Sequence, residues 1–516
     1  MENNLIKGIS LENFRVFKDK SDFELAPITI LTGANNSGKS TLIKSMKLMQ
    51  SFCKTGIPDF DALGGFNNSL NNNSSEKEIT ITHKVQKEGY SYFFGTLLVE
   101  YIFVKDDTSI GELKSLSVFL ENKSEPILLY KENKNKEQEY FNEDYVNNVY
   151  FPIFKSLYND LVEYKEIVKQ DVRIEEEEVY LDDGSFIPDR LGLPKIDELY
   201  CAKRGIDYKK CKAFEILAFL FEDIDYVWAE NSFVKFSLKN LNLCDIKDII
   251  IYLSIKQINY FYNNIYFIDA LRIEAKREYS LNAIKSNFEK LISECIIEKW
   301  LEDKKIKDEI IKWINDFGIA ENVDFEQSKN SIQILFTKNG KSINLMDMGF
   351  GIFHLIHLFF GLLKAFDCFE KINKANDESR NKDTYRPSHI LDIINSKKMI
   401  VIEEPESHLH PKLQSELANL FSYCYDKFHV SLIVETHSVY LIRQLQNLTL
   451  SKKIKTKDAV IHYIDNPDLN KRYSIDDPQI RTIHIQTNGQ LTKTFGKNFY
   501  EVENELAWFL LTYSNN

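Results

Sequence analysis

The sequence predicts an α/β fold, and three apolar runs along its 516 residues support this prediction. The runs cover residues 28–32, 399–402 and 431–434, and each has the length of a buried strand. A glycine-rich loop and a helical pattern follow the first run, and polar residues follow the other two. Because ligands bind at the carboxyl ends of strands in open α/β sheets, we expect the residues after these runs to share one site.

The composition is that of a soluble globular protein, with 43% hydrophobic and 28% charged residues. No apolar run reaches the ~18 residues that a membrane helix needs, and residues 1–4 lack a signal-peptide pattern. We therefore expect a cytoplasmic protein without membrane association. The seven cysteines form no CxxC pair, which argues against a zinc ribbon. A net charge of −12 means that any DNA contact needs a local basic patch.

The first apolar run leads into a loop that is bracketed by Gly33 and Gly38, closes on Lys-Ser and opens a helix. This order of strand, loop and helix is that of a P-loop, whose backbone N–H groups surround phosphate. Lys39 is predicted to reach the β- and γ-phosphates of a nucleotide, and the Ser40 hydroxyl to bind Mg²⁺. The alternative is a glycine-rich turn that contains Lys-Ser by chance. The predicted phosphate-binding residues are Gly33, Ala34, Asn35, Asn36, Ser37, Gly38, Lys39, Ser40 and Thr41.

Three segments are expected from the change of pattern along the chain. Residues 1–77 contain the P-loop, and residues 265–516 contain the other two strand ends. Residues 78–264 show strand and then helix patterns, and their length is that of one additional domain, typically ~100–200 residues. We therefore predict that residues 78–264 are an α+β/helical region inserted into the domain that carries the P-loop.

The second apolar run ends in two carboxylates, Glu403 and Glu404. Burying an unpaired charge is costly, so acids at the end of a buried strand are expected to meet a metal or a substrate. Glu403 is predicted to organise Mg²⁺, directly or through water, and Glu404 to polarise an attacking water. Alternatively, the acids are only the lead-in to the helix that begins near Pro411.

Thr-His-Ser follows the third run, and His437 is predicted to hydrogen-bond the γ-phosphate or its attacking water. A structural polar cap is the alternative. Two further glycines, Gly349 and Gly351, precede an apolar helix predicted over residues 352–366. The polar stretch 369–388 is predicted to be a flexible connection.

Together these motifs resemble the RecF/OLD/SMC-like branch of the ABC-type ATPases. The residues that carry this resemblance are 11–15, the P-loop, 403–406, 408–411 and 436–438. A narrower resemblance is to the compact bacterial AAA ATPases of anti-phage defence operons, such as the Septu-type ATPases. It rests on residues 271–272, 347–351 and 483–499. The inserted region has no part in either resemblance.

The resemblance implies an ABC-type P-loop ATPase head with a mixed sheet, using ATP and Mg²⁺. Two heads of a homodimer or higher homo-oligomer would sandwich ATP, with the helix that follows Gly349 and Gly351 against the phosphate bound by the other subunit. A plain glycine turn is the alternative for this pair. Gln50 would be the equivalent of the Q-loop glutamine.

OLD-type nucleases carry a TOPRIM domain, whose acidic strand ends are not recognisable after His437. We therefore expect a separately encoded effector, such as a nuclease, as partner. The alternative is a RecF-like DNA-repair ATPase that binds DNA directly through residues 203–212 or 452–457.

Overall fold

A computed structural model describes residues 6–86, 96–105, 111–121, 123–133, 136–141, 172–175, 178–181, 250–270, 275–280, 304–380, 399–465 and 478–495. The chain divides into two compact units. The first comprises Met1–Ile9, Glu78–Tyr260 and Ser379–Asn395, and the second comprises Ser10–Lys77, Phe261–Glu378 and Ser396–Asn516. All residues of the candidate site lie in the second unit.

The second unit is built on a six-stranded mixed sheet. Its strands lie in the order Ile265–Ile268, Met399–Glu403, Ser431–Glu435, Ile28–Gly33, Ala459–Ile464 and Ile480–His484. The first five are parallel to one another, and Ile480–His484 is antiparallel to its neighbour. The three predicted strands are therefore neighbours, and their carboxyl ends lie at the same edge of the sheet.

Helices account for the full burial of the central strands. Every residue of Ile28–Gly33, Ser431–Glu435 and Ala459–Ile464 is buried, as expected for parallel strands covered on both faces. The long helices of the second unit are Lys39–Thr55, Lys304–Asp316, Phe350–Arg380, Pro411–Phe428 and Val439–Leu450. Apolar residues of the last four of these helices form one continuous core with the sheet.

A smaller antiparallel sheet in the second unit is formed by Tyr279–Ser280, Asn322–Gln327, Ser331–Lys338 and Lys341–Asn344. The first two described strands are Ile6–Glu12 and Ser21–Glu24.

In the first unit, successive strands pair antiparallel in chain order: Glu78–Val85, Leu97–Val104, Glu112–Leu120, Leu128–Asn133 and Lys136–Phe141. Val172–Glu175 pairs with Glu178–Leu181. A π-helical turn, Tyr252–Lys256, continues into the helix Gln257–Asn263.

The structure confirms the predicted α/β class with a mixed sheet around the P-loop. One prediction is wrong: the helix expected at 352–366 extends over Phe350–Arg380 and includes part of the stretch expected to be flexible. Residues 369–380 are polar but contain neither glycine nor proline, and polarity alone does not end a helix. Most of the segment 78–264 lies outside the described residues. Within the described residues, no helix is long and apolar enough to span a bilayer.

Candidate functional site

The P-loop lies between the strand Ile28–Gly33 and the helix Lys39–Thr55. Gly33 has φ of +143°, and a Cβ at this position would lie 2.2 Å from the carbonyl oxygen of Ile464 on the neighbouring strand. Only glycine allows that close approach. Gly38 occupies the N-cap of the helix, so the amide-bearing end of the helix dipole begins directly after the loop.

Lys39 is buried, and its ammonium group donates hydrogen bonds to the loop's own carbonyl oxygens. The distances from Nζ are 2.7 Å to the oxygen of Ala34 and 3.2 Å to that of Gly33. Burial lowers the pKa of Lys39, and the charges of Glu435, Glu404 and Glu406 oppose that shift. The predicted phosphate-binding lysine therefore lies within electrostatic range of carboxylates from two strand ends.

Glu404 is held in a strained turn directly after the strand Met399–Glu403. Its φ is +47°, an uncommon value for a residue with a side chain. Its N–H donates to the carbonyl oxygen of Glu435 at 2.9 Å, and the Ser407 hydroxyl donates to its Oε2 at 3.3 Å. The predicted water-activating carboxylate is thus fixed beside the end of the strand Ser431–Glu435.

Glu435 is a candidate site residue that sequence reasoning missed. It ends its strand, is 4% exposed, and accepts a 2.8 Å hydrogen bond from the Ser40 hydroxyl on Oε1. Its Oε2 is buried and has no hydrogen-bond partner among the described residues. Burial raises the pKa of Glu435, and the Ser40 hydrogen bond and Lys39 oppose that shift. An acid at the end of a buried run was the signal that identified Glu403, and it applies equally to Glu435.

Glu403 pairs with Lys47 and not with Lys39 of the P-loop. Its Oε1 forms a 2.9 Å ion pair with Nζ of Lys47, which also pairs with Asp269 at 2.7 Å. Lys47 lies on the helix Lys39–Thr55, so this group connects that helix to the ends of two strands. The two residues predicted to hold Mg²⁺ therefore have separate partners: Ser40 contacts Glu435, and Glu403 contacts Lys47.

The residues that follow Glu403, up to His410, form a turn that we call the acidic turn. The loop that contains His437 is fastened to it through Glu406. The His437 N–H donates to Glu406 Oε1 at 2.6 Å, and Glu406 is itself buried. Burial and the charge of Lys39 lower the pKa of the His437 imidazole, while Glu404 opposes the shift. The neutral ring is therefore favoured near pH 7 and retains one donor and one acceptor nitrogen.

The glycine pair lies against the acidic turn of the same chain. Gly349 precedes the helix Phe350–Arg380 with φ of +89°. A Cβ on Gly351 would lie 2.5 Å from the carbonyl oxygen of His408, and the Phe350 and His408 rings meet edge to face with centroids 4.6 Å apart. The element that, by the family resemblance, would meet a second subunit's phosphate thus also packs within its own subunit.

Gln50, the suggested Q-loop equivalent, joins the P-loop helix to the start of the strand Ile265–Ile268. Its side-chain amide donates to the carbonyl oxygens of Tyr262 and Ile265, both at 2.9 Å. Residues 271–272, which contributed to the resemblance, lie outside the described residues.

The donor set fits a magnesium-bound nucleotide. Mg²⁺ prefers hard oxygen ligands and is commonly bound by one or two carboxylates together with substrate phosphates. Ser40 and Glu435 supply such oxygens, and the buried Oε2 of Glu435 has no hydrogen-bond partner among the described residues. The Ser37 hydroxyl in the loop is likewise buried without a partner among the described residues.

The chain is similar to a curated protein over a short stretch and to several solved structures over most of its length. Over 82 residues, 16% of this chain, the chain is 27% identical to protein ea59 of Escherichia phage lambda, and the match spans only 15% of that relative. Among solved structures, the chain is similar to the SMC head domain from Thermotoga maritima, with 10% identity, a TM-score of 0.33, and coverage of 94% of this chain and 100% of that one. For the Smc head domain with a coiled coil and joint from Pyrococcus yayanosii, identity is 10%, the TM-score 0.37, and coverage 97% and 99%.

The AAA ATPase domain family matches residues 5–442, which is most of the chain and includes the P-loop, the acidic turn and His437. This match agrees with the predicted enzyme class, an ATPase. The chain belongs to the AAA ATPase domain family.

Proposed function

We propose that this chain hydrolyses ATP at the P-loop in a composite site between two subunits, and that its nucleotide state controls a partner effector in anti-phage defence. One observation carries the catalytic part. Lys39 lies within electrostatic range of Glu404 and Glu435, and Ser40 hydrogen-bonds Glu435, at the carboxyl ends of neighbouring parallel strands. This is the edge at which α/β sheets bind ligands.

Each side chain has a role that follows from its position. Lys39 exchanges its bonds to loop carbonyls for the β- and γ-phosphates, and Ser40 holds Mg²⁺ together with a carboxylate from the strand ends. The metal supplies positive charge that offsets the charge on the phosphoryl oxygens. Glu404 accepts a proton from the attacking water, and neutral His437 hydrogen-bonds that water or the γ-phosphate.

Exposed apolar residues beside the site support the proposal that a second subunit covers it. Met346, just before Gly349, is 48% exposed, and Tyr440, just after the Thr-His-Ser loop, is 42% exposed. A contiguous apolar patch marks a surface that another chain covers, and in this proposal both residues belong to such a surface. In this proposal the N-terminus of the helix Phe350–Arg380 caps the γ-phosphate that the partner copy binds.

Nucleotide-dependent assembly tests the proposal that two subunits bind ATP between them. We expect the wild-type chain to form dimers or larger homo-oligomers when ATP and Mg²⁺ are added, as measured by analytical ultracentrifugation. Lys39→Ala removes the ammonium group that holds the phosphates and should abolish both assembly and hydrolysis. Unchanged ATP-dependent assembly of Lys39→Ala would count against the sandwich.

The defence role rests on the resemblance to Septu-type ATPases and predicts a separately encoded effector, such as a nuclease. Cells that express the chain together with its neighbouring genes should plate phage less efficiently than cells without them. Glu404→Gln and Lys39→Ala should each remove that protection. Equal phage plating with and without the wild-type genes, or protection that survives both substitutions, would refute this role.

Direct DNA binding is the second candidate, favoured by four exposed lysines: Lys452, Lys453, Lys455 and Lys457. The other basic cluster, residues 203–212, lies outside the described residues. A DNA-binding protein that neutralises several phosphates shows a steep fall of affinity with salt. Our first proposal expects no salt-dependent DNA affinity for the isolated protein, whereas the second expects one that weakens when the four lysines are replaced by glutamine.

A further inference from the structure

We propose that Glu435, rather than Glu403, is the carboxylate that holds the divalent cation beside Ser40. This assignment rests on the proposed ATP site and deepens it. Four observations of the second unit carry it: a direct contact with Ser40, an unpartnered buried oxygen, the position of Glu435 in the sheet, and the ion pair that engages Glu403.

The contact with Ser40 places Glu435 at the hydroxyl from which a P-loop binds its metal. Ser40 Oγ donates to Glu435 Oε1 at 2.8 Å, and the Glu435 side chain is almost fully buried. A hydroxyl and a carboxylate oxygen this close can bind one cation, because each has lone pairs to share and metal binding replaces the hydrogen bond between them.

The second carboxylate oxygen of Glu435 is free to bind a cation. Glu435 Oε2 is buried and has no hydrogen-bond partner among the described residues. Leaving a buried polar atom unsatisfied costs about 1–3 kcal/mol, and more when the group is charged. A cation at this carboxylate would remove that cost, so the arrangement is consistent with a site that is completed by binding.

The sheet places Glu435 nearer to the P-loop than Glu403. Glu435 is the register partner of Leu31 on the P-loop strand, whereas Glu403 lies one strand farther away, as the register partner of Glu435. A residue on the adjacent strand reaches the P-loop helix directly, as the contact with Ser40 demonstrates. Glu403 instead reaches Lys47, about two helical turns farther along the same helix.

Glu403 is already paired with a lysine. Lys47 binds both Glu403 and Asp269, at 2.9 Å and 2.7 Å. A metal at Glu403 would face the repulsion of this ammonium group, or would first have to displace it. Lys47 therefore disfavours a cation at Glu403, and the ion pairs suit a structural role that fastens the P-loop helix to the sheet.

Manganese binding separates the two carboxylates without relying on turnover. Mn²⁺ takes the place of Mg²⁺, and its paramagnetic resonance spectrum reports its affinity for the protein in the presence of saturating ATP. Glu435→Gln should weaken Mn²⁺ binding by about tenfold or more, the lower end of what lost metal-shell residues cost. Ser40→Ala should do the same. Glu403→Gln should change it less than about threefold, like the control Glu326→Gln, an exposed acid on the small antiparallel sheet.

Folding and nucleotide binding are checked on the same preparations, by thermal unfolding and by ATP affinity in EDTA. If Glu435→Gln does not fold, Glu435→Asp is compared with Glu403→Asp, and the larger loss of Mn²⁺ affinity is expected at position 435. Loss of Mn²⁺ affinity in the Glu403 variants with retention in the Glu435 variants would overturn the assignment. A wild-type chain that binds no ATP would instead refute the proposed function itself.

Discussion

The backbone N–H of His437 donates a 2.6 Å hydrogen bond to Oε1 of Glu406. Through this bond, the last acid of the turn that begins at Glu403 fixes the loop that carries the histidine. The two segments are separated by 31 positions in the sequence and meet at the edge of the sheet where Lys39 lies. The candidate site is therefore stabilised by contacts between its own loops.

Removing the Glu406 carboxylate should lower both the free energy of unfolding and the rate of phosphate release. Glu406→Ala leaves the His437 N–H without its partner, and losing a typical intramolecular hydrogen bond costs about 0.5–1.5 kcal/mol of unfolding free energy. Glu406→Gln retains an acceptor oxygen and should be close to wild type in stability and phosphate release. Urea unfolding and phosphate release measure both effects. Equal behaviour of the alanine and glutamine variants would show that the bond does not position His437.

The close approach of Gly351 to His408 predicts a steric defect. A Cβ at Gly351 would lie 2.5 Å from a backbone oxygen, whereas at Gly361, on the same helix, it would meet the end of the Ile268 side chain at 2.8 Å. Side chains can rotate away, but the backbone of the acidic turn must move. Alanine gains about 1 kcal/mol of helix propensity at Gly361, in the helix interior, and less at Gly351, in the first turn, so the difference between the variants contains a propensity term beside the clash. We expect Gly351→Ala to be less stable than Gly361→Ala by about 1–3 kcal/mol. Equal stabilities in urea would contradict this packing.

The two ion pairs of Lys47 should differ in coupling energy, because Glu403 is more buried than Asp269. The Glu403 side chain is 21% exposed and that of Asp269 is 48% exposed, so solvent screens the first pair less. A double-mutant cycle of Lys47→Gln with Glu403→Gln should give a coupling energy of about 1 kcal/mol, the upper end for such pairs. The cycle of Lys47→Gln with Asp269→Asn should give less. A zero coupling energy between Lys47 and Glu403 in urea unfolding would show that Lys47 does not fasten Glu403, and equal coupling energies for the two pairs would show that burial does not set their strength.

Three buried histidines predict a loss of stability in acid. Burial lowers the pKa of His354, His357 and His462 to about 4 in each case. In the unfolded chain they bind protons near pH 6.5, whereas the folded chain does not until about pH 4. Acidification between these values therefore favours unfolding, and the stability contributed by the neutral rings is fully present only above pH 6.5.

The variant His354→Leu removes one of these titrations, and His354 Nδ1 has no partner among the described residues. Its unfolding free energy, measured without nucleotide or metal, should therefore fall less steeply between pH 6.5 and 4 than that of the wild type. An unchanged slope would mean that the pKa of His354 is the same in the folded and the unfolded chain.

The sequence allowed the P-loop to be predicted because its parts are consecutive. Strand, loop and helix follow one another between Ile28 and Thr55, and Gly33 and Lys39 appear at fixed spacing. The three strand ends were also visible locally, as apolar runs that stop at polar residues. Their meeting at one edge followed from the general behaviour of parallel sheets.

The contact partner of each carboxylate could not be predicted from the sequence in this way. Whether Glu403 or Glu435 meets Ser40 depends on which strand adjoins the P-loop strand, and that register is a tertiary property. Lys47 and Glu403 are separated by 356 positions, so no local pattern indicates that they pair. The full length of the helix Phe350–Arg380 is not predictable from composition, because a polar stretch is typical both of loops and of exposed helices.

Phosphate release by Glu404→Gln tests the central claim most directly, because Glu404 is the residue assigned to the attacking water. ATP affinity and phosphate release are measured on the same preparations of wild type, Glu404→Gln and the exposed control Glu326→Gln. The account predicts that all three bind ATP alike, and that phosphate release by Glu404→Gln alone falls by about 10²–10⁴-fold, as expected for loss of a general base. Phosphate release by Glu404→Gln at the wild-type rate would contradict it.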